Sequence, residues 1–404
     1  MRLLAIDMGT GTQDILLFDS SGPVENSVKM VLPSATEIAA RRIRRATREG
    51  KAVVLTGVTM GGGPCHWALE EHLKAGLRAF ATPEAAKTFD DDLAAVQAMG
   101  VGIVGEEEAQ RLAHNAVHVE MRDLDLAALR RVLVAFEVDP NLDGLALACL
   151  DHGAAPPNYS DRLFRFDHMR RVVEARNDLL AFAYLPQELP EYLTRARAML
   201  ACVGRVGPSH YVGALARVGQ AGDDLPTIFL DTGPAAALGA LQDPQVAQRE
   251  EQLVINLGNM HALAFHLRGT HIYSLCEHHT GLLSREEIEG LTEGLLAGAL
   301  THEDVFGHHG HGVYYADRPG SGRRPLLAVT GPQRGKLRGG RLNPYFAVPH
   351  GDMMISGCFG LVWAFAARHP EHREQIERAL FPEGAGAAPP RTLAQRRRHP
   401  ANPK

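Results

Sequence analysis

Three closely spaced apolar stretches open the chain. Arg2–Met8 is an apolar run that carries Asp7 near its end, Thr12–Phe18 follows a Gly-Thr-Gly turn, and Ser27–Leu32 alternates up to Pro33. Short runs joined by tight turns predict an antiparallel hairpin meander. A helix should follow, because Ser34 and Glu37 have capping-box spacing, Ala39, Ile43 and Ala46 share one face, and Gly50 ends the pattern. Arg41, Arg42, Arg44 and Arg45 fall mostly on its other faces and read as a solvated surface. Ala52–Thr56 is a buried strand that runs into a glycine-rich loop, Gly57–Pro64. Helices about 65–75 and 83–98, strands near 77–81, 101–104 and 117–121, a helix at 125–136 and the buried strand Leu145–Leu150 complete a first α/β unit. Residues 160–220 read as mainly helical, and Pro226–Asp231 as a strand before an alanine-rich helix.

The opening order then returns. Leu253–Leu257, a Gly258-Asn259 turn, Met260–Leu267 and Thr270–Cys276 repeat the meander. A helix with a Ser284/Glu287 capping box follows, and then the buried strand Leu326–Thr330. In this register Asp7 matches Asn256, Gly9 matches Gly258, and Thr56-Gly57 matches Thr330-Gly331. A strand–strand–strand–helix–strand order met twice predicts a duplicated unit. The expected domains are 1–155, a mainly helical connection at 156–225, a second α/β domain at 226–382, and a disordered basic tail at 383–404.

The hydrophobic-Asp-x-Gly-Thr opening, AIDMGTG, resembles the phosphate hairpin of the actin-like ATPase, sugar kinase and Hsp70 superfamily. The resemblance implies an α/β fold of duplicated ribonuclease-H-like domains facing a central cleft. It also implies ATP and Mg²⁺, with Gly9, Thr10, Gly11 and Thr12 cradling phosphates and Asp7 holding the metal. A glycine turn lets backbone amides approach oxyanions closely, and a strand-end carboxylate holds a hard cation. Asp14 lies near the turn as a second carboxylate, and Gly258 and Asn259 form the second hairpin. Gly331 matches the turn that takes the adenosine. Asp151, after the last strand of the first unit, stands where the superfamily activates its attacking group, with His152 beside it. Asn256 departs from the pattern, and so do the bulky residues Asn259, Met260 and His261.

Composition changes the picture in two places. Lys plus Arg (42) against Asp plus Glu (47) leaves a net charge of −5, which argues against nucleic acid as a partner. With no run of 18 apolar residues and too short an apolar start for a signal peptide, no membrane association is expected. The five cysteines, Cys65, Cys149, Cys202, Cys276 and Cys358, are odd in number and scattered, which suits a cytoplasmic protein with buried thiols.

The twenty histidines are the second. They gather at Asp151-His152-Gly153, Glu277-His278-His279, His308-His309-Gly310-His311 and His350-Gly351-Asp352. Imidazoles beside glycine at strand ends suit a cleft mouth, and His278, His279, His309, His311 and His350, with His152, form an alternative metal cluster for Zn²⁺ or Mn²⁺. A lone DTG at Asp231 lacks the second copy that an aspartic protease needs.

The string LTGVTMGGGP, CLDHG, LDTGPAAALGA, EHHTG and HGDMMISGCFG is similar to a prokaryotic family labelled as pyruvate formate-lyase activating enzymes, over about residues 1–366. A radical activase of that kind needs three clustered cysteines for its 4Fe–4S cluster, and none cluster here. Three functions follow. The first is an ATPase or small-molecule phosphotransferase acting on a nucleotide or small substrate. The second is a metal-dependent enzyme on the same scaffold with ATP binding lost. The third is a non-catalytic ligand-binding protein.

Overall fold

The computed structural model describes residues 1–203, 225–317 and 324–382. The chain is an α/β protein with three sheets. The first holds β1 (Arg2–Met8), β2 (Thr12–Asp19), β3 (Val28–Pro33), β8 (Gly144–Cys149), β9 (Ala183–Tyr184) and β10 (Thr227–Asp231) in the order β3-β2-β1-β8-β10-β9. The second holds β11 (Gln252–Leu257), β12 (His261–Arg268), β13 (His271–His279), β14 (Gly312–Tyr315), β15 (Leu326–Thr330) and β16 (Tyr345–Phe346) in the order β14-β13-β12-β11-β15-β16. In both, an antiparallel meander is followed by two parallel strands beside its first strand. Five strands of each sheet therefore share order and sense, β3-β2-β1-β8-β10 against β13-β12-β11-β15-β16, while β9 and β14 have no counterpart.

The expected register between the halves is corrected. Val53–Gly57 does not join β1. It is β4 of a separate parallel sheet with β5 (Ala79–Ala81), β6 (Val101–Ile103) and β7 (Val117–Met121), in the order β6-β5-β4-β7. The strand parallel to β1 is β8, so β8, not β4, is the counterpart of β15. Both candidates are apolar runs suited to a strand buried on two faces, and nothing local chooses between them. The helix expected over 83–98 is broken into Pro83–Ala86 and Leu93–Ala98, with Asp92 capping the second piece through the Ala94 N–H. Ser284 and Glu287 form the full capping box, whereas at Ser34 only the hydroxyl accepts the Glu37 N–H, because the Ser34 N–H is taken by the Gly11 carbonyl. Of the connection at 156–225, the described part carries the helices Asp161–Ala175 and Thr194–Ala201 and adds β9 to the edge of the first sheet. The expected tail at 383–404 lies outside the described residues.

The two large sheets meet through a pair of helices, Thr232–Ala240 after β10 and Ser356–Arg368 after β16. Both are buried almost throughout, and small residues let their backbones touch. A Cβ on Gly239 would overlap the Ser356 carbonyl, and one on Gly360 would overlap the Ala235 carbonyl. Gly239→Ala is expected to cost about 1–3 kcal/mol by overpacking. A urea midpoint equal to that of the parent would show that the helices part without penalty. Among the described residues no helix is long and apolar enough to cross a membrane.

Candidate functional site

The two hairpin turns are built alike. Gly9 N–H donates to the Thr12 carbonyl at 2.9 Å, and Gly258 N–H to the His261 carbonyl at 2.9 Å. They face each other closely, since a Cβ on Gly11 would lie 2.5 Å from Asn259 Nδ2. The Ser34 hydroxyl donates to the Thr10 carbonyl at 2.6 Å, and its N–H donates to the Gly11 carbonyl. Gln333 Nε2 donates to Asn259 Oδ1 at 3.3 Å. Gly63 of the glycine-rich loop packs on the Thr10 methyl, and Gly61 packs on Arg195. Gly331, at φ +94°, crosses against the end of β11 at Leu257 and Asn256.

Asp7 and Asp14 are direct cross-strand partners. The alternation of β1 turns Asp7 to the face of Leu3 and Ala5, toward the helix pair. One oxygen accepts the Thr232 hydroxyl at 2.7 Å, and the other lies against Gly357. Burial, then the nearby Asp14 charge, pushes Asp7 up to about 8. Burial pushes Asp14 up to about 7, and its Oδ1 is buried without a hydrogen-bond partner. Asp151 is fully engaged: its oxygens accept the N–H groups of Gly153 at 2.8 Å and Ala196 at 2.9 Å, which anchors the start of the Thr194–Ala201 helix.

Next to Asp151 the chain delivers His152 into a cluster of imidazoles. His261 opens β12, His279 ends β13 directly opposite it, and His311 precedes β14. Ring nitrogens of His152, His261 and His311 all lie within 4.8 Å of one another. His311 Nε2 is 3.4 Å from His152 Nε2. Two nitrogens bound to one tetrahedral Zn²⁺ at about 2.0–2.1 Å stand roughly 3.3 Å apart, so this pair already has ligand spacing. His261 Nε2 and His311 Nδ1 are buried with no hydrogen-bond partner. The His279 ring sits 4.7 Å from that of His311 and 4.9 Å from that of His261, as a fourth wall. Burial first, and then the Arg165 charge, lowers His152 to about 3. Burial and the neighbouring imidazoles hold His261 well below its usual value, and burial does the same to His311. These rings are neutral at pH 7, the form that binds metals.

A buried ion triad braces the cluster. Arg165 is fully buried. Its Nε donates to both Glu277 oxygens at 2.8 and 3.0 Å, and its terminal nitrogens donate to Asp231 at 2.8 and 3.3 Å and to the Asp151 carbonyl at 2.9 Å. Burial alone would lower Arg165, but Asp231 and Glu277 outweigh it and raise it. Burial pushes Glu277 up to about 7, and Arg165, whose Nε–H is shared by both carboxylate oxygens, pulls it the other way. The Glu277 carbonyl accepts the His311 N–H at 2.9 Å, so one guanidinium holds the backbone beside both His152 and His311.

Of the histidines expected in a metal cluster, His152 and His311 come together, with His279 alongside. His278 turns its Nδ1 onto the His279 N–H at 2.8 Å. His309 is exposed in a left-handed turn at φ +65°. His350 bonds Gln242 at 3.0 Å and packs on Phe359, in a different part of the fold. His261 was not in the expected set. The signal for it was present, since the β12/β13 hairpin register sets it opposite His279.

A family model described as "Putative pyruvate format-lyase activating enzyme (DUF1786)" matches residues 60–336. The chain belongs to this family. No curated protein matches it. The family description implies a 4Fe–4S cluster, and the thiols do not fit one. Cys65, Cys149, Cys276 and Cys358 are buried on separate elements, and Cys202 is half-buried at the end of a helix. No three cysteines come within ligand distance of one another among the described residues. Burial pushes Cys65, Cys202 and Cys276 up to about 12, away from the thiolate form that binds iron.

Proposed function

We propose that this protein is a metal-dependent enzyme that uses a divalent ion, Zn²⁺ or Mn²⁺, held by His152, His261 and His311. The convergence of three neutral imidazoles, with the buried unpartnered Nε2 of His261 among them, carries this reading. A divalent ion there would supply Lewis-acid chemistry to a substrate or water at its open position. His152, His261 and His311 would hold it, and His279 walls the site. Arg165 fixes the two backbone segments that present His152 and His311.

The reading predicts that metal-stripped protein regains about one Zn²⁺ per chain, with a thermal stabilisation of about 2.7 kcal/mol at 100 times the dissociation constant. His261→Ala should lose the bound metal and most of that stabilisation while keeping its circular dichroism. If His261→Ala retains stoichiometric metal by elemental analysis, the assignment is wrong.

The scaffold supports a second reading. We infer that the two large sheets are duplicated ribonuclease-H-like domains of the actin-like ATPase and sugar kinase kind, facing a central cleft, with 156–225 as the connection. The repeated strand order and the matching Gly9 and Gly258 turn bonds favour it. On that reading the protein is an ATPase or small-molecule phosphotransferase. Gly9–Thr12, Gly258, Asn259 and Gly331 would take ATP, Asp7 and Asp14 would hold Mg²⁺, and Asp151 would serve as base. The metal reading is preferred because Asn259 sits over Gly11, Asp7 is turned into the helix pair, and both Asp151 oxygens are engaged. Stabilisation by ATP with Mg²⁺ in metal-stripped protein would reverse that preference. No response to either metal or nucleotide would leave a ligand-binding protein.

A further inference from the structure

The His279 imidazole stands beside the three candidate ligands without belonging to them. The strand register sets His279 directly opposite His261, so the two side chains share one face of the sheet. The His279 ring lies 4.9 Å from that of His261 and 4.7 Å from that of His311. The three candidate ligand rings stand no closer to one another, at 5.0, 5.2 and 5.5 Å. The His279 nitrogens nevertheless fall outside the convergent set, so a turn of the side chain separates them from the ion position. The side chain is partly exposed, and its present position has a partner of its own. Burial lowers His279, and a hydrogen bond between its ring and the Met260 backbone opposes that. His278, one residue earlier, is spent on the backbone N–H of His279. The surrounding charge calls for no anionic fourth ligand, since Asp231 and Glu277 outnumber Arg165 beside the cluster.

We propose that His279 is an exchangeable fourth ligand. It rotates onto the ion and closes a four-imidazole shell in the substrate-free protein, and a donor atom of the substrate displaces it to the Met260 carbonyl. This rests on the metal reading above. Four protein ligands close a tetrahedral zinc site, whereas catalysis needs one position open. A displaceable imidazole meets both needs. It covers the ion at rest, and the balance between its two positions is set by the difference between the bonds it makes in each.

Co²⁺-loaded protein tests this through its visible absorption. His279→Ala should keep one Co²⁺ per chain by elemental analysis, bind it roughly ten- to hundredfold more weakly, and show a changed spectrum. Imidazole added to that variant should restore the parental spectrum saturably, and should leave the parent protein unchanged at the same concentration. Azide, a small competing donor, should bind the parent about tenfold or more weakly than it binds His279→Ala, because His279 must first leave. His278→Ala should match the parent in each titration. If His279→Ala does not fold, His279→Gln carries the same comparison. A parental spectrum in the His279 variant overturns the proposal while leaving the metal reading intact. So does imidazole binding equally to both proteins, or azide binding equally to both or never to the parent. Failure of the parent protein to retain Co²⁺ removes the metal reading, and this proposal with it.

Discussion

Arg165→Met should destabilise the fold by about 3–5 kcal/mol, the largest effect expected of any single substitution in this protein. The side chain is fully buried and makes its contacts with groups from three elements: Asp231 at the end of β10, Glu277 on β13, and the Asp151 carbonyl after β8. Removing the guanidinium leaves one fully buried carboxylate, Glu277, and one mostly buried, Asp231, without their counter-ion, and it is this stranded charge that is costly. The control is a second substitution. Arg165→Met combined with Glu277→Gln removes one of the stranded charges and should recover part of the loss. Chemical denaturation of the three proteins reads the effect directly. If Arg165→Met unfolds at the parental denaturant midpoint, the triad contributes nothing. If the double variant is less stable than the single one, stranded charge is not the cause. The single variant should also bind metal more weakly, because the backbone beside His152 and His311 loses its common anchor.

The metal-free protein should lose stability as the pH rises from about 6.5 to 8. The cause is the pair of acids at the start of the first sheet. Asp7 is pushed up to about 8 and Asp14 to about 7, chiefly by burial. Between an ordinary carboxyl pKa of about 4 and these raised values, the folded chain holds protons that the unfolded chain has released. Stability is therefore full below about pH 4 as far as these acids are concerned, and it falls through the window up to about 8. Each such group contributes a slope of up to about 1.4 kcal/mol per pH unit within its window. Histidines act with the opposite sign. His152 is lowered to about 3, so below about pH 6.5 the unfolded chain gains protons that the folded chain refuses, and stability falls on acidification. Below about pH 6.5 the several lowered histidines outweigh the two acids, so the optimum should lie near that pH. Asp7→Asn should remove much of the alkaline limb and be more stable than the parent at pH 8, because an amide carries no charge to bury. Denaturant midpoints across pH 5 to 8.5 in chelator-treated buffer decide it, and an alkaline limb unchanged in Asp7→Asn would rule out Asp7 as its source.

The parts of the fold that rest on local rules were legible in the sequence. The hairpin turns, the Ser34 and Ser284 caps and the repeated meander all follow from residue types at fixed spacing, and they form where expected. What local rules cannot give is the choice among equivalent partners. Val53–Gly57 and Gly144–Cys149 are both apolar runs, and only long-range pairing decides which lies beside β1. The site shows the same division. The acid–His–Gly motif at 151–153 and the spacing of His309-Gly310-His311 single out His152 and His311, which the fold brings together. The alternate residue, His309, is lost to a left-handed turn, and His350 to a bond with Gln242. In the sequence His261 is a bulky departure from a phosphate turn. It becomes a ligand candidate only when strand register sets it beside His279 and the fold brings in His152 from the other half.

That division of the ligand set has a kinetic consequence. His152 follows the first sheet, whereas His261 and His311 belong to the second, so an ion held by all three rivets one half of the molecule to the other. Release would then require the halves to part. The rate at which a chelator strips the metal should reach a ceiling set by that opening, however much chelator is added.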